Sequence, residues 1–340
     1  MLTIDGSMGE GGGQILRTAL TLSLVTGQAF RLENLRAHRT PPGLKPQHLK
    51  AVEAAAAIGR AKVHGRFPGS QTLTFEPEPV QPAEYAFDIG TAGSIALVLQ
   101  TLYLPLALAG APSRVTVRGG THVPWSPSFD FLDCHWQPVL DDLGIHLRLE
   151  MERAGFYPPG GGIVHMNVAP TKVIRGWNPG ERGRLLGIAG ISAVARLPES
   201  IAERQRDRAR QRLRARDLDA DIDVRTVEAV SPGTFIALVA EFEHGRACYT
   251  ALGERGKPAE TVGEEAVVPL LAFIDGDANV DEHLADQLLL PLALAEDSSR
   301  FYTHRPTTHL ETNARVIERF TPTRFMIGED GRVDVAVSPR

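Results

Sequence analysis

Apolar residues fall at helical spacing directly behind three polar or glycine-bearing turns. Ile15, Leu16, Ala19, Leu20 and Leu22 follow the turn at 5–13, the run Ile95 to Ala109 follows 87–94, and a third apolar run opens at 281–287. Between them lie short segments of polar and apolar alternation or apolar enrichment, which predict strands over 29–34, 61–65, 72–76, 114–118, 145–150, 163–168 and 300–304. Further helices are predicted over 47–59, 129–143 and 314–320. Strands that alternate with helices in this way make the layers of an α/β (α+β) sandwich.

The hexapeptide Leu104-Pro105-Leu106-Ala107-Leu108-Ala109 recurs as Leu290-Pro291-Leu292-Ala293-Leu294-Ala295, each copy preceded by a glutamine, Gln100 or Gln287. Self-similarity of this kind points to an internal repeat. A glutamine among leucines needs a polar partner, and one ligand facing both is the expectation. Composition shifts between about 181 and 279: arginines and acids crowd 196–216, and 221–228, 234–243 and 247–252 read as strands of a smaller sheet. The expected organisation is a large domain over 1–180 and 280–340 with a small α/β domain inserted at 181–279. Mixed charge along a helix reads as a solvated face rather than an RNA-binding one.

At 340 residues the chain exceeds what one core usually supports, and 43% hydrophobic with 23% charged residues is the balance of a soluble protein. Cys134 and Cys248 are unpatterned, against a disulfide framework and for a reducing, cytoplasmic setting. The apolar run 95–109 is interrupted by Gln100, Thr101 and Pro105 and is too short for a membrane span. Net charge is −5, yet residues 1–66 hold nine Lys and Arg against four acids. So local a basic patch suits a nucleotide or a strand end better than a long duplex.

Candidate chemistry gathers at the two ends of the chain. The stretch Asp5-Gly6-Ser7-Met8-Gly9-Glu10-Gly11-Gly12-Gly13-Gln14-Ile15-Leu16-Arg17 enters a helix, where free backbone N–H groups favour an anion. It matches neither the P-loop nor the dinucleotide fingerprint, and a plain structural turn accounts for the glycines as well as a ligand does. A carboxylate beside a phosphate needs a divalent cation between them, which makes Glu10 a candidate Mg²⁺ or Mn²⁺ ligand and Arg17 a candidate phosphate contact. The proline-broken stretch 36–48 puts Arg36, Arg39 and Lys45 on a loop. His309 stands near a strand-to-helix junction, where capping or packing is the commoner role.

Taken together, 5–17, 36–48, 93–100, 155–162, 283–295 and 309–320 resemble the RNA 3′-terminal phosphate cyclases, in order and over nearly the whole chain. The resemblance implies a large domain of repeated βαβαββ-type units with a smaller α/β insert. It implies ATP-dependent conversion of an RNA 3′-phosphate end to a 2′,3′-cyclic phosphate, through AMP carried on a histidine, here His309. By position it assigns Arg17, Arg39, Gln14, Gln47 and His48 to the phosphates and Gln100, Leu284, Ala285, Asp286 and Gln287 to the nucleotide. Pro127 and His283 would sandwich adenine, and Glu10 would hold the metal. Where the family commonly carries tyrosine this chain has His283, and Ala154 stands where it has histidine. RNA and ATP are the implied partners, a homodimer is a possible assembly, and no membrane is involved. A non-catalytic relative acting in ribosome assembly and an enolpyruvyl transferase are the competing readings.

Overall fold

A computed structural model describes residues 1–9 and 12–337. The first unit runs β1 (Leu2–Asp5), α1 (Gly13–Thr26), β2 (Phe30–Glu33), α2 (Pro46–Ile58), β3 (Lys62–His64) and β4 (Leu73–Glu76). Its sheet has the order β1-β2-β4-β3, with β1 and β2 parallel and the other pairs antiparallel. The second unit repeats this path: β5 (Glu84–Asp88), α3 (Ile95–Ala107), β6 (Ser113–Gly119), a helical stretch at 129–142, β7 (Leu147–Arg153) and β8 (Gly162–Val168). Its order, β5-β6-β8-β7, is that of the first sheet. The stretch 129–142 is not one regular helix: α4 (Phe129–Phe131) and α5 (Gln137–Asp142) flank a π turn at Leu132–Trp136.

The chain then leaves for a different sheet, made of β9 (Leu185–Ala195), β10 (Asp221–Thr226), β11 (Gly233–Phe242) and β12 (Gly245–Leu252), with α6 (Ser200–Arg214) and α7 (Ala259–Ile274) packed on it. This sheet has its own apolar cluster, including Ile222, Leu238, Val262 and Leu270. The strand β9 and the helix α7 gave no clear sequence pattern. Arginines of α6 pair with acids of α7, Arg204 with Glu260 and Arg208 with Glu264, so the charged face is solvated and ion-paired.

The third unit contains α8 (Glu282–Leu292), β13 (Ser299–Tyr302), α9 (Thr308–Phe320), β14 (Arg324–Ile327) and β15 (Arg332–Ala336). Its sheet, β13-β15-β14, is the first sheet less its leading strand. Val280 stands in that place, making parallel bridges to Thr303 and, on the other side, to Arg246. The two copies of the hexapeptide lie at the ends of α3 and α8, the leading helices of the second and third units. Helix α1 packs against α3 and α9, and α8 against α9, around one large core that draws on all three units. Among the described residues no helix is long and apolar enough to cross a membrane.

Candidate active site

In every unit the parallel strands end on loops that lead into helix N-termini, the usual place for a ligand in open α/β sheets. The N-termini of α1, α8 and α9 converge there. Gly9, at φ +55°, faces Thr312 of α9 so closely that a Cβ at that position would lie 2.0 Å from Thr312 Oγ1. The two ends of the chain therefore meet at the glycine turn.

His309 sits in the first turn of α9, because the helix begins at Thr308, six residues before the 314 start read from the sequence. Thr307 caps it, its side-chain oxygen accepting from Leu310 N at 3.1 Å. The imidazole is exposed, and its Nδ1 lies 2.6 Å from Gln14 Oε1 of α1. Gln14 Nε2 donates in turn to Asp286 Oδ1 of α8 at 2.5 Å. A carboxylate accepts only, so the Gln14 amide presents its NH₂ to Asp286 and its oxygen to His309. Nδ1 must then carry the proton, and Nε2 the lone pair. Asn313 braces the relay: it donates to Asp286 O at 2.9 Å and accepts from Thr18 Oγ1 at 2.7 Å. Burial pushes the Asp286 carboxyl up, against the pull of His309, Arg17 and the Gln14 amide.

A cationic cradle lies beside this relay. A Cβ on Gly13 would stand 2.4 Å from His48 Nε2 and 3.0 Å from Arg17 Nη1, so only glycine leaves both groups room. Burial holds the Arg17 guanidinium down at about 10, with Asp286 drawing it back up. His48 Nδ1 accepts from Lys45 N–H at 3.1 Å, so neutral His48 carries its proton on Nε2, beside Gly13. Burial, then Arg17, Arg36 and Lys45, depress His48 to about 3. Arg36, buried and at φ +56°, has an Nε without a hydrogen-bond partner. Sequence reading placed it on the basic loop without a role. Arg39 is exposed on the same loop, close enough to depress Arg36 further.

Gln100 and Gln287 find each other, Gln100 Nε2 donating to Gln287 Oε1, so the two polar side chains meet across the leading helices of the second and third units. Gln47 is half-buried against Gly93. Leu284 and Ala285 are fully buried, and their N–H groups bond to Asp281, whose side chain caps α8 and whose carbonyl continues it. His283 is exposed on the first turn of α8 with the Tyr249 ring edge-on at 6.4 Å. Tyr249 belongs to β12, so the sheet of β9 to β12 also borders this region, which the distribution of candidate residues in the sequence did not suggest. Pro127 is half-buried at the start of the 129–142 stretch. Glu10 lies outside the described residues. Among the described residues no group of three His, Cys, Asp or Glu could hold a metal ion.

Two buried histidines set an acid limit. His48 and His135 are both held below the usual imidazole range by burial, so the unfolded chain binds protons near 6.5 that the folded chain refuses. Stability is fully present above that pH and falls as pH drops through it, by about 1.4 kcal/mol per pH unit for each histidine. Urea unfolding followed between about pH 7.5 and 5 should expose this slope. His48→Gln should remove roughly half of it, and an unaltered slope would mean that His48 is not buried neutral.

These features define an α/β protein of repeated units with a histidine aligned by a relay beside a cationic cradle. A profile described as RNA 3′-terminal phosphate cyclase matches residues 8–327. The RNA 3′-terminal phosphate cyclase of Koribacter versatilis is 44% identical, over all of this chain and 96% of its own. That of Methylococcus capsulatus is 46% identical over 94% of this chain and 91% of its own. A solved enolpyruvyl transferase, NikO from Streptomyces tendae, overlaps with TM-score 0.28 at 16% identity, covering 47% of this chain and 31% of that one, too little to carry an argument. The chain belongs to the RNA 3′-terminal phosphate cyclase family and is an enzyme.

Proposed function

We propose that the protein converts an RNA 3′-phosphate end to a 2′,3′-cyclic phosphate at the expense of ATP, through AMP carried on His309. The observation that carries this reading is the relay His309–Gln14–Asp286, which fixes the imidazole tautomer with Nε2 unprotonated. That nitrogen attacks the α-phosphorus of ATP, a P–N bond forms, and the P–O bond to pyrophosphate breaks. An oxygen of the RNA phosphate then displaces the imidazole and takes the adenylyl group. Finally the vicinal 2′-OH attacks the RNA phosphorus, loses its proton, and expels AMP. Charge in each step is offset by cations held in place beforehand: Arg17, Arg36 and Arg39, with neutral His48 donating from Nε2. Gln47 stands near them, and Gln100, Asp286 and Gln287 frame the nucleotide with the turn Leu284–Ala285. A divalent cation bound through Glu10 and the substrate phosphates would neutralise further charge.

We assign this chemistry to a large domain over 1–180 and 280–340, with 181–279 as an inserted domain, and place the enzyme in the cytoplasm. Intact-protein mass measurement after exposure to ATP tests the reading. A covalent adenylyl adduct is expected, and its transfer to a 3′-phosphorylated oligonucleotide should yield a cyclic end. Absence of the adduct would favour a non-catalytic, RNA-binding relative.

Adenine is expected between Pro127 and His283, with Tyr249 supporting the imidazole edge-on. A phenol offers a larger π-face than imidazole, so His283→Tyr in a His309→Asn background should tighten ATP binding by on the order of 1 kcal/mol near neutral pH. Equal affinity would remove residue 283 from the base.

A further inference from the structure

Three large aromatic side chains stand in solvent at the same end of the molecule as the candidate site. Trp125 is 100% exposed, Tyr157 72% and Phe67 59%. Trp125 also holds φ +64°, a left-handed backbone that is unfavourable for a bulky residue and persists where the surroundings impose it. Their position follows from the topology. β4 begins at Leu73 opposite Leu32, near the end of β2, and β8 begins at Gly162 opposite Gly119, the end of β6. The hairpin loops at 65–72 and 154–161 therefore lie at the end where β2 and β6 release the loops 34–45 and 119–128.

The loops are tied to one another and to the site. Leu44 N donates to Ser70 O at 3.0 Å and Gly69 N to Leu44 O at 2.9 Å, joining the Phe67 hairpin to the loop of Arg36 and Arg39. Thr121 N and His122 N both donate to Gly155 O, at 2.9 and 3.1 Å, joining the Trp125 loop to the Tyr157 hairpin. A Cβ on Gly160 would lie 2.8 Å from Ala92 Cα, and one on Gly93 would lie 3.2 Å from Gln47 Cβ, which carries the contact on to α2. Loops 34–45, 65–72, 119–128 and 154–161 contain Arg36, Arg39, Lys45 and Arg66 and not one Asp or Glu. Exposed aromatic faces on loops that include cations and no acids fit an unpaired nucleic acid strand: each base offers a π-face and each phosphate a charge.

We propose that Trp125, Tyr157 and Phe67 are stacking platforms for the unpaired nucleotides on the 5′ side of the reacting RNA phosphate, with Arg66 and Lys45 beside their backbone. The inference rests on the functional reading above and deepens it: the substrate is a single-stranded RNA end held through base faces, hence with little preference for sequence. Stacking reads no hydrogen-bonding edge, whereas a duplex end has no free base face to offer beyond its terminal pair.

The test compares the full-length protein with Trp125→Ala, Tyr157→Ala and Phe67→Ala, each a surface change. Anisotropy of a labelled single-stranded RNA of about twelve nucleotides with a 3′-phosphate should report affinity weaker by about tenfold for Trp125→Ala and severalfold for the others. A 3′-phosphorylated dinucleotide, too short to span the platforms, should bind all four proteins with smaller differences. Trp125→Phe should restore most of the loss, which a purely structural role for Trp125 would not explain. RNA should also quench the exposed indole of the unmodified protein and not the remaining tryptophans of Trp125→Phe. Adenylylation by ATP alone reports the nucleotide site separately. If that reaction proceeds and RNA binds equally to all three alanine variants, the platforms are refuted and the functional reading stands. If the unmodified protein neither takes the adenylyl group nor binds RNA, both fall.

Discussion

His309→Ala is expected to abolish covalent labelling by ATP, with residual transfer at least about a thousandfold below the unmodified protein, the scale on which loss of a nucleophile is felt. The expectation follows from geometry. Nδ1 of His309 donates to Gln14 Oε1 at 2.6 Å, so Nε2 is the nitrogen that carries the lone pair. A phosphoramidate adduct should be labile in acid and stable in base. The relay predicts a graded companion: Gln14→Ala removes the acceptor and lets the imidazole change tautomer, so labelling should slow by roughly ten- to a hundredfold without disappearing. Labelling of His309→Ala at the original rate would assign the nucleophile elsewhere. Because the adduct is read on the protein, the result does not depend on knowing the RNA.

Asp281→Ala should cost about 3–5 kcal/mol of stability, since it leaves one imidazole N–H and three backbone N–H groups without their acceptor in the interior, at roughly 1 kcal/mol or more each. Asp281 is wholly buried and uses both oxygens. Oδ1 caps α8 by accepting from His283 N and Leu284 N at 2.9 and 3.0 Å. Oδ2 accepts from His135 Nε2 at 2.5 Å and Cys248 N at 3.2 Å. Burial disfavours the carboxylate, but His135 and the other donors more than offset this and hold it below the usual range. His135 Nδ1 already lacks a partner, so losing Asp281 would leave the whole ring unpaired. One side chain thus ties the π turn at Leu132–Trp136, β12 and α8 together, and α8 carries Asp286 into the relay. Urea unfolding measures the cost, and a loss below about 1 kcal/mol would show that the network is dispensable. Nucleotide affinity should fall with it, since an uncapped α8 no longer fixes His283 and Asp286.

Periodicity alone gave the leading helices, most strands of the first two units and the repeat marked by the two hexapeptides. Apolar spacing is local and survives in any context that buries it. Boundaries were less legible. Pro46 reads as a helix breaker yet opens α2 at a position where its missing N–H costs nothing. Thr308 to Asn313 read as a polar junction, but Thr307 caps a helix there and turns His309 toward α1. The strand β9 has small residues and glycines, and only its pairing with β10 and β11 makes it a strand.

By itself the sequence determined which residue types are present for phosphate and nucleotide chemistry, and, through their order along the chain, the family. Only the tertiary structure decided their partners. Gln14, 295 residues from His309, has no local reason to orient it. Gln100 and Gln287, read as two groups facing one ligand, also bond to each other across 187 residues. Asp281, Asn313 and Tyr249 carried no sequence signal of their own, and Arg36 none beyond its place on the basic loop, because each acts through burial or a hydrogen bond with a distant segment. Local pattern encodes which face of an element is buried. It does not encode which polar groups meet once three such faces close around one core.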